Sequence, residues 1–217
     1  VIVRESAIER NHMKVKIAYY REDREIDIPE KNLIGVLRPK EIQPAEDLTA
    51  CINQNLDAPI GTEPFDKLCA GKKNICILVC DLTRPMETDR VLPILLDRIE
   101  RNAPGAKITI LIALGTHRGL TDEEIDKLCG PGIREKYSVI NHAFDDPNAL
   151  VQVPCSAEGV PPVFVNRLLT ECDLRLAVGA VKPHPIFGWS GGAKIVIPGV
   201  AGYETTGYSH WLTCPHK

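Results

Sequence analysis

The sequence lacks the features that mark several classes of protein. None of its apolar runs is long enough to span a bilayer and no signal peptide precedes the first predicted element, so we expect a cytoplasmic protein with no membrane partner. The 26 basic and 29 acidic residues leave a net charge of −3, which does not favour a nucleic-acid partner. Internal repeats and low-complexity linkers are also missing, which disfavours a repeat protein or a disordered one.

The eight cysteines contain no C-x-x-C pair, and most lie inside apolar segments. This usage is typical of reduced thiols in a cytosolic protein rather than of a disulfide framework. Cys76 and Cys80 share one face of a predicted strand, where we interpret both as packing residues. A zinc site is the alternative interpretation of that pair.

The first part of the chain predicts a hairpin and two helices that lead into a larger core. Apolar residues at 14–20 and 24–28 flank the polar turn Arg21-Glu22-Asp23, which predicts the hairpin. Helical spacing follows in two places, at residues 48–56 and 63–70. We expect residues 13–60 to precede an α/β core within a single 1–217 domain.

From residue 74 onward, strands and helices alternate. The continuous apolar runs at 75–80 and 108–114 are typical of strands buried on both faces. A helix is predicted between them over 88–102, and Thr121 with Glu124 predicts a capping box at the start of the next helix. Shorter strands are predicted at 139–140, 163–165 and 174–178. The pattern predicts an α/β fold, a doubly wound and mostly parallel sheet with helices on both faces.

Polar side chains follow the ends of these strands: Asp81, Arg84, His117, His142 and His184. In open α/β sheets ligands bind outside the carboxyl ends of the strands, so we expect these side chains to form one site. Each has a structural alternative: Asp81 as a helix cap, Arg84 in a surface salt bridge, and His117 or His142 as an ordinary loop histidine. Two histidines on opposite sides of a substrate provide the acid–base pair that a racemase needs.

The stretch 181–199 has no helical or strand period and combines His184 and Lys194 with the close glycines Gly188, Gly191 and Gly192. Successive N–H groups of such a loop can form an anion-binding nest, and Lys194 can act as a nucleophile. The alternative is a plain glycine-rich turn with a surface lysine. Further on, His210 could bind a borderline metal such as nickel, or it could be a packed histidine.

Taken together, the motifs resemble those of the nickel-pincer lactate racemase family. The resemblance extends over roughly residues 14–210. Its motifs are D-L-T-R-P at 81–85, G-T-H-R at 115–118, N-H at 141–142, V-N-R at 165–167, K-P-H at 182–184, the run from Gly188 through S-G-G-A-K at 190–194 to P-G at 198–199, and E-T at 204–205.

The resemblance implies a cofactor, pyridinium-3,5-bisthiocarboxylic acid mononucleotide, that holds nickel through one carbon and two sulfurs. It implies Lys194 as the covalent thioamide tether, His210 as the nickel ligand, and His117 and His184 as the acid–base pair. The remaining cofactor-binding positions that it implies are Asp81, Arg84, Ser190, Gly191 and Gly192. The implied reaction is racemisation or epimerisation of a 2-hydroxy acid by hydride removal and return, with cofactor-synthesis enzymes as partners.

The sequence departs from the family pattern in three ways. Ser209 stands where asparagine is usual, and Trp189 stands where phenylalanine is usual. The family's second domain is missing, so we expect this chain alone to have low activity. Two other functions stay open: a non-catalytic domain that binds a phosphorylated ligand, and an enzyme in which Lys194 forms a Schiff base of the pyridoxal phosphate type.

Overall fold

The structure, a computed structural model, describes residues 12–38, 40–84 and 86–214. Pro85, the last residue of the D-L-T-R-P motif, lies outside the described residues. The chain divides into two compact units, Val1–Ala45 and Glu46–Lys217. Within the described ranges, no helix has the length and apolar character to cross a bilayer.

The first unit contains the predicted hairpin. Strands β1 (His12–Tyr19) and β2 (Glu22–Pro29) pair antiparallel, and the short 3-10 helix Glu30–Asn32 follows. The connecting turn is shorter than the sequence predicts, because β2 already begins at Glu22 and only Tyr20 and Arg21 remain between the strands. Tyr20 has a φ of 60°, the left-handed conformation that a two-residue hairpin turn requires.

The second unit alternates strands and helices as predicted. Its elements in chain order are α1 (Leu48–Asp57), α2 (Phe65–Cys69), β3 (Asn74–Cys80), α3 (Thr88–Asn102), β4 (Lys107–Ala113), α4 (Asp122–Cys129), α5 (Ile133–Lys136), β5 (Ser138–Asn141), β6 (Leu150–Val153), β7 (Val163–Asn166), α6 (Leu168–Glu171), β8 (Leu174–Val178), β9 (Pro183–His184), β10 (Gly188–Trp189), the 3-10 helix Gly192–Ile195, and α7 (Tyr203–Trp211). Both side-chain bonds of the predicted capping box at Thr121 and Glu124 are present.

A four-stranded parallel sheet forms the centre of this unit, in the order β5-β4-β3-β8. Val79 of β3 lies opposite Ile112 of β4 on one side and opposite Val178 of β8 on the other. The chain therefore winds outward from β3 in one direction and then returns to add β8 on its other side. This reversal confirms the doubly wound fold and creates a crevice at the carboxyl ends of β3 and β8.

Apolar side chains cover the sheet on both faces. On one face, residues of β3 and β4 such as Ile77 and Ile110 pack against Leu92 and Ile99 of α3 and against α4. On the other face, Leu78 packs with residues of β7, α6 and the 3-10 helix 192–195. The strongly apolar β3 and β4 are thus buried on both faces, as their continuous hydrophobic runs predict.

Two segments differ from the sequence prediction in detail. The predicted strand at 163–165 is β7, which pairs antiparallel with β6 beside the main sheet instead of joining it. The sequence does not predict β6, because this strand has only four residues and no helix separates it from β7. The predicted loop 181–199 contains the two-residue strands β9 and β10 and a 3-10 helix, elements too short to produce a recognisable period.

Candidate active site

A cavity of about 210 Å³ lies at the carboxyl ends of β3, β4 and β8, where the winding of the sheet reverses. Its wall combines the segments that follow these three strands with one side of α7. The side chains that carry chemistry there are Asp81, Arg84, His117, His184, Lys194 and His210. The structure therefore brings together, in one cavity, residues that are up to 129 positions apart, from Asp81 to His210.

Asp81 and His117 form a hydrogen-bonded pair at the base of this cavity. Asp81 directly follows β3 and is 4% exposed, and its Oδ2 lies 2.6 Å from Nδ1 of His117. Its other oxygen, Oδ1, accepts hydrogen bonds from the backbone N–H and the hydroxyl of Thr83. Asp81 therefore does not cap α3, whose N-cap is Glu87; it holds a turn and orients a histidine.

Arg84 lies in the cavity wall one turn after β3. Its Nη1 donates to the hydroxyl of Thr83 across 2.8 Å, and its backbone N–H donates to the carbonyl of Asp81. Among the described residues, Arg84 forms no salt bridge, so the surface ion pair considered from sequence is not seen there. A guanidinium in this position can bind a carboxylate or phosphate through parallel N–H groups.

The turn that leads to Lys194 is fastened by Ser190 and Gly191. The hydroxyl of Ser190 donates to the carbonyl of Ala180 and accepts from the backbone N–H of Lys182, at 2.9 and 3.0 Å. Gly191 has a φ of +70°, and a Cβ there would lie 3.0 Å from the Ala180 carbonyl oxygen. Both residues line the cavity, but the hydroxyl of Ser190 is already hydrogen-bonded to the backbone of the turn.

Lys194 is half-buried at the cavity wall. Burial lowers the pKa of its amine, and the positive charge of Arg84 lowers it further. The Nζ atom lies 5.3 Å from the centroid of the Phe187 ring. A larger share of neutral amine makes Lys194 a better nucleophile than a surface lysine at the same pH.

His184 faces the same cavity from β9. Its Nδ1 accepts hydrogen bonds from the backbone N–H groups of Ile186 and Phe187, both at 3.2 Å. Burial lowers the pKa of this imidazole, and the positive charges of Lys194 and Arg84 act in the same direction. The ring is therefore biased toward its neutral form.

His210 comes from α7, at the far side of the cavity. Its Nδ1 donates to the carbonyl of Thr206 across 2.8 Å, and the hydroxyl of Ser209 donates to that same oxygen across 2.7 Å. The Phe187 ring meets the imidazole edge to face, with 4.9 Å between centroids. These contacts fix the ring and leave Nε2 as the nitrogen available to a metal.

A backbone bridge joins two sides of the cavity. The N–H of Gly115, which begins the segment of His117, donates to the carbonyl of Gly199 across 2.8 Å. The N–H of Gly199 in turn donates to the carbonyl of Lys194 across 3.2 Å. The segment that presents His117 and the segment that presents Lys194 are therefore hydrogen-bonded to each other through Gly199.

His142 does not belong to this site, which corrects the prediction that it joins the other strand-end residues there. It is 3% exposed, its Nε2 donates to the carbonyl of Ala201 across 2.9 Å, and its Nδ1 accepts from the side-chain amide of Asn166. Burial lowers the pKa of its imidazole. Both ring nitrogens of His142 are hydrogen-bonded inside the protein. The side chain therefore links the residue after β5 to Ala201 and to the end of β7.

Two further residues lie beside residues of the site. Gly192 does not line the cavity, although its neighbour Gly191 and Lys194 of the same 3-10 helix do. Cys80 packs against the core, as the sequence predicts, and it also lines the cavity beside Asp81, where burial raises the pKa of its thiol. The sequence signal for this second role is the position of Cys80 as the last residue of β3, directly before Asp81. Across the described ranges, all eight cysteines are free and no group of three or more His, Cys, Asp or Glu side chains could hold a metal ion by itself.

A doubly wound sheet with histidines, a depressed-pKa lysine and an arginine at its switch point defines an α/β domain whose cavity carries the groups that anion binding and acid–base chemistry use.

Comparison with known proteins gives the family. Residues 19–217 match the model of the lactate racemase N-terminal domain, and the chain belongs to this family. It is 36% identical to a lactate racemase of Lactiplantibacillus plantarum over 159 residues. The aligned residues cover 73% of this chain and 37% of that protein. The chain is 32% identical over 194 residues to the lactate racemase of Thermoanaerobacterium thermosaccharolyticum, which covers 88% of this chain and 45% of that one.

The fold agrees with a solved structure. The lactate racemase apoprotein from Thermoanaerobacterium thermosaccharolyticum superposes with a TM-score of 0.80 at 31% identity, over 89% of this chain and 45% of that one. The chain spans less than half the length of the curated relatives that it matches.

Proposed function

We propose that this chain is the cofactor-holding domain of a racemase or epimerase that acts on a 2-hydroxy acid such as lactate, with a nickel-pincer nucleotide as cofactor. The observation that carries the proposal is the convergence of one amine and three imidazoles on a single cavity at the switch point of the sheet. Membership of the lactate racemase N-terminal domain family supports it.

The residues of the cavity fit this cofactor. A nickel ion already held by one carbon and two sulfurs needs a single protein ligand. Of the three imidazoles in the cavity, that of His210 has its Nδ1 bonded to the Thr206 carbonyl and presents its Nε2 for this role. The cavity also offers one half-buried amine, Lys194, with the depressed pKa that attachment to a thiocarboxylate carbon requires. Arg84 supplies the cation that a nucleotide phosphate or a substrate carboxylate requires.

When bound, the cofactor supplies the hydride acceptor and donor, because the hydrogen on the carbinol carbon is too weakly acidic for an imidazole to remove as a proton. The protein handles the hydroxyl proton instead. His117, oriented by Asp81, presents Nε2 toward the cavity, and His184 faces the same space from β9. The carboxylate of Asp81 stabilises the imidazolium that forms when His117 takes that proton.

We propose three further features at the level of the whole protein: cofactor-synthesis enzymes as partners, residues 1–217 as its N-terminal cofactor-binding and catalytic part, and a second domain that completes the site. Without that second domain we expect low activity from this chain. These features follow from the family and from the length of the relatives, of which the chain covers 37% and 45%.

The decisive experiment combines intact mass with elemental analysis. The chain is produced together with the cofactor-making enzymes, beside the variants Lys194→Ala and Lys182→Ala. Lys182 is an exposed lysine of the same turn and serves as the matched control. We expect one nickel and a covalent adduct in the parent chain and in Lys182→Ala, and no adduct in Lys194→Ala.

Other outcomes overturn the proposal. An unmodified chain without nickel under these conditions favours the phosphorylated-ligand domain, and a borohydride-reducible imine on Lys194 favours the Schiff-base enzyme. Full racemisation by a chain that carries neither nickel nor an adduct would overturn the proposal as well.

A further inference from the structure

The two histidines that face the substrate space are bonded to partners of opposite kinds. Nδ1 of His117 lies 2.6 Å from the carboxylate oxygen of Asp81. Nδ1 of His184 lies 3.2 Å from two backbone nitrogens, those of Ile186 and Phe187. A carboxylate oxygen only accepts hydrogen bonds and a backbone N–H only donates, so the two rings place their protons differently.

From this contrast we propose that His117 and His184 are held in opposite tautomers: His117 carries its proton on Nδ1 and offers Nε2 as a base, whereas His184 carries its proton on Nε2 and offers a hydrogen-bond donor. The two histidines are therefore not interchangeable at the start of a turnover. The functional meaning of this difference rests on the proposed racemase function, but the tautomers themselves do not.

The position of His184 explains how its tautomer is held. Residues 184–188 form the tight connection between β9 and β10, in which Gly188 lies opposite His184. The turn aims two successive N–H groups at one nitrogen of the ring, so a proton on Nδ1 would face two donors and lose both hydrogen bonds. The hydrogen bonds alone therefore favour the Nε2–H form.

The proton on Nδ1 of His117 is also held by a hydrogen bond, to the carboxylate of Asp81. Asp81 is almost fully buried, and its second oxygen is already committed to the N–H and hydroxyl of Thr83. Its carboxylate therefore keeps one orientation and accepts the Nδ1 proton of His117. The lone pair on Nε2 is then left toward the cavity.

The difference assigns roles to the two rings. His117 takes the hydroxyl proton of the substrate onto Nε2, and the electron pair of the broken O–H bond stays on the oxygen. His184 keeps its own proton and donates a hydrogen bond from Nε2–H to a substrate oxygen, as a neutral imidazole does when it polarises a carbonyl. The Ile186–Phe187 turn is thus a positioning element for His184.

The chain provides internal standards for a direct test. His142 donates from Nε2 to the carbonyl of Ala201, so it is a standard for the tautomer proposed for His184. His210 donates from Nδ1 to the carbonyl of Thr206, so it is a standard for the tautomer proposed for His117. Nitrogen-15 NMR of labelled histidine distinguishes a protonated from an unprotonated ring nitrogen.

The experiment uses the cofactor-free chain at about pH 8.5, above the ordinary imidazole pKa of about 6.5. Single His→Gln variants assign the signals. We expect the spectrum of His184 to match that of His142, and Nδ1 of His117 to be protonated as in His210. A proton on Nδ1 of His184, including a time-averaged mixture of both forms, or an unprotonated Nδ1 on His117, overturns the proposal.

A pair of variants at position 186 separates the positioning role from a general structural one. Ile186→Pro removes one of the two N–H donors, whereas Ile186→Ala keeps it. We expect the proline variant alone to populate the Nδ1–H form of His184, with the signals of His142 and His210 unchanged as evidence of folding. Equal tautomer populations in both variants would overturn the role given to the turn. Since no cofactor is used, this result is independent of the nickel and mass analysis.

Discussion

The ring of Phe187 meets the imidazole of His210 edge to face, with 4.9 Å between their centroids. The same ring lies 5.6 Å from the ring of His184 and 5.3 Å from Nζ of Lys194. One aromatic side chain therefore contacts three of the groups that the proposed function needs, although it does not itself line the cavity.

Phe187→Ala is expected to weaken nickel retention. An edge-to-face aromatic contact contributes about 0.5–1.5 kcal/mol, so loss of this support for His210 should lower nickel affinity by roughly two- to tenfold. Elemental analysis of the parent and variant chains, each produced together with the cofactor-making enzymes and then dialysed against the same chelator, measures the change. Trp189→Ala, which removes a 61% exposed ring two residues away, is the control and should retain nickel as the parent does. Equal losses in both variants would contradict this role of Phe187.

Gly191→Ala is expected to destabilise the turn before Lys194. A Cβ would lie 3.0 Å from the carbonyl oxygen of Ala180, and the φ of +70° is strained for alanine, so we expect a loss of about 1–3 kcal/mol in the free energy of unfolding. Urea unfolding measures it.

Gly207→Ala in α7 is the matched control. Nothing lies within 4 Å of a Cβ at that position, and alanine is the better helix former, so this variant should gain about 0.5–1 kcal/mol. A Gly191→Ala variant as stable as the parent would contradict the close approach of the turn to Ala180.

Arg98→Ala is expected to loosen the helices on the face of the sheet opposite α6. The side chain of Arg98 on α3 is 8% exposed and donates to Asp66 of α2 and to Asp57 and Asn53 of α1. Because the two carboxylates are exposed and regain water, we expect a loss of about 2 kcal/mol, which is below the roughly 3–5 kcal/mol for breaking a fully buried ion pair.

Arg98→Lys keeps the charge without the planar fork and should lose less stability than Arg98→Ala. The free energy of unfolding in urea checks both variants. A change below about 0.5 kcal/mol in Arg98→Ala, the size of an ordinary surface substitution, would show that the three helices hold together without this side chain.

His142 should make the stability of the protein depend on pH. Burial lowers the pKa of its imidazole in the folded chain, so the unfolded chain binds the proton more readily. Its contribution is fully present above the ordinary pKa of about 6.5 and is lost as the pH falls from there toward the lower folded value.

We expect the parent chain to lose stability faster than His142→Gln as the pH falls below about 6.5, although the variant starts from a lower value. Urea unfolding at a series of pH values measures both curves, and their difference isolates His142 from other titrating groups. Parallel curves over this range would contradict the shift.

Much of the α/β unit could be predicted because its signals are local. The runs at β3 and β4 are apolar throughout since both faces are buried, and the side chains of Thr121 and Glu124 bond to nearby backbone. The grouping of Asp81, Arg84, His117 and His184 followed from one rule, that parallel strands end at the same edge of a sheet.

The rest depends on contacts between segments that are distant in the sequence. His142 follows a strand as the others do, but Asn166 and Ala201 surround it and take both of its nitrogens. The role of Ser190 in fastening the turn to Ala180 depends on a contact across ten residues, and β6 is identified only by its pairing with β7. No pattern of residue types along the chain carries this information.

The backbone bridge from Gly115 to Gly199 affects how a large ligand can enter the cavity. The bridge fastens the flank that presents His117 to the flank that presents Lys194, so these two flanks move together as one wall. We therefore expect any widening of the cavity for a nucleotide-sized molecule to come from β9 and β10 or from α7, and mutations that rigidify either of these should slow binding more than they weaken it.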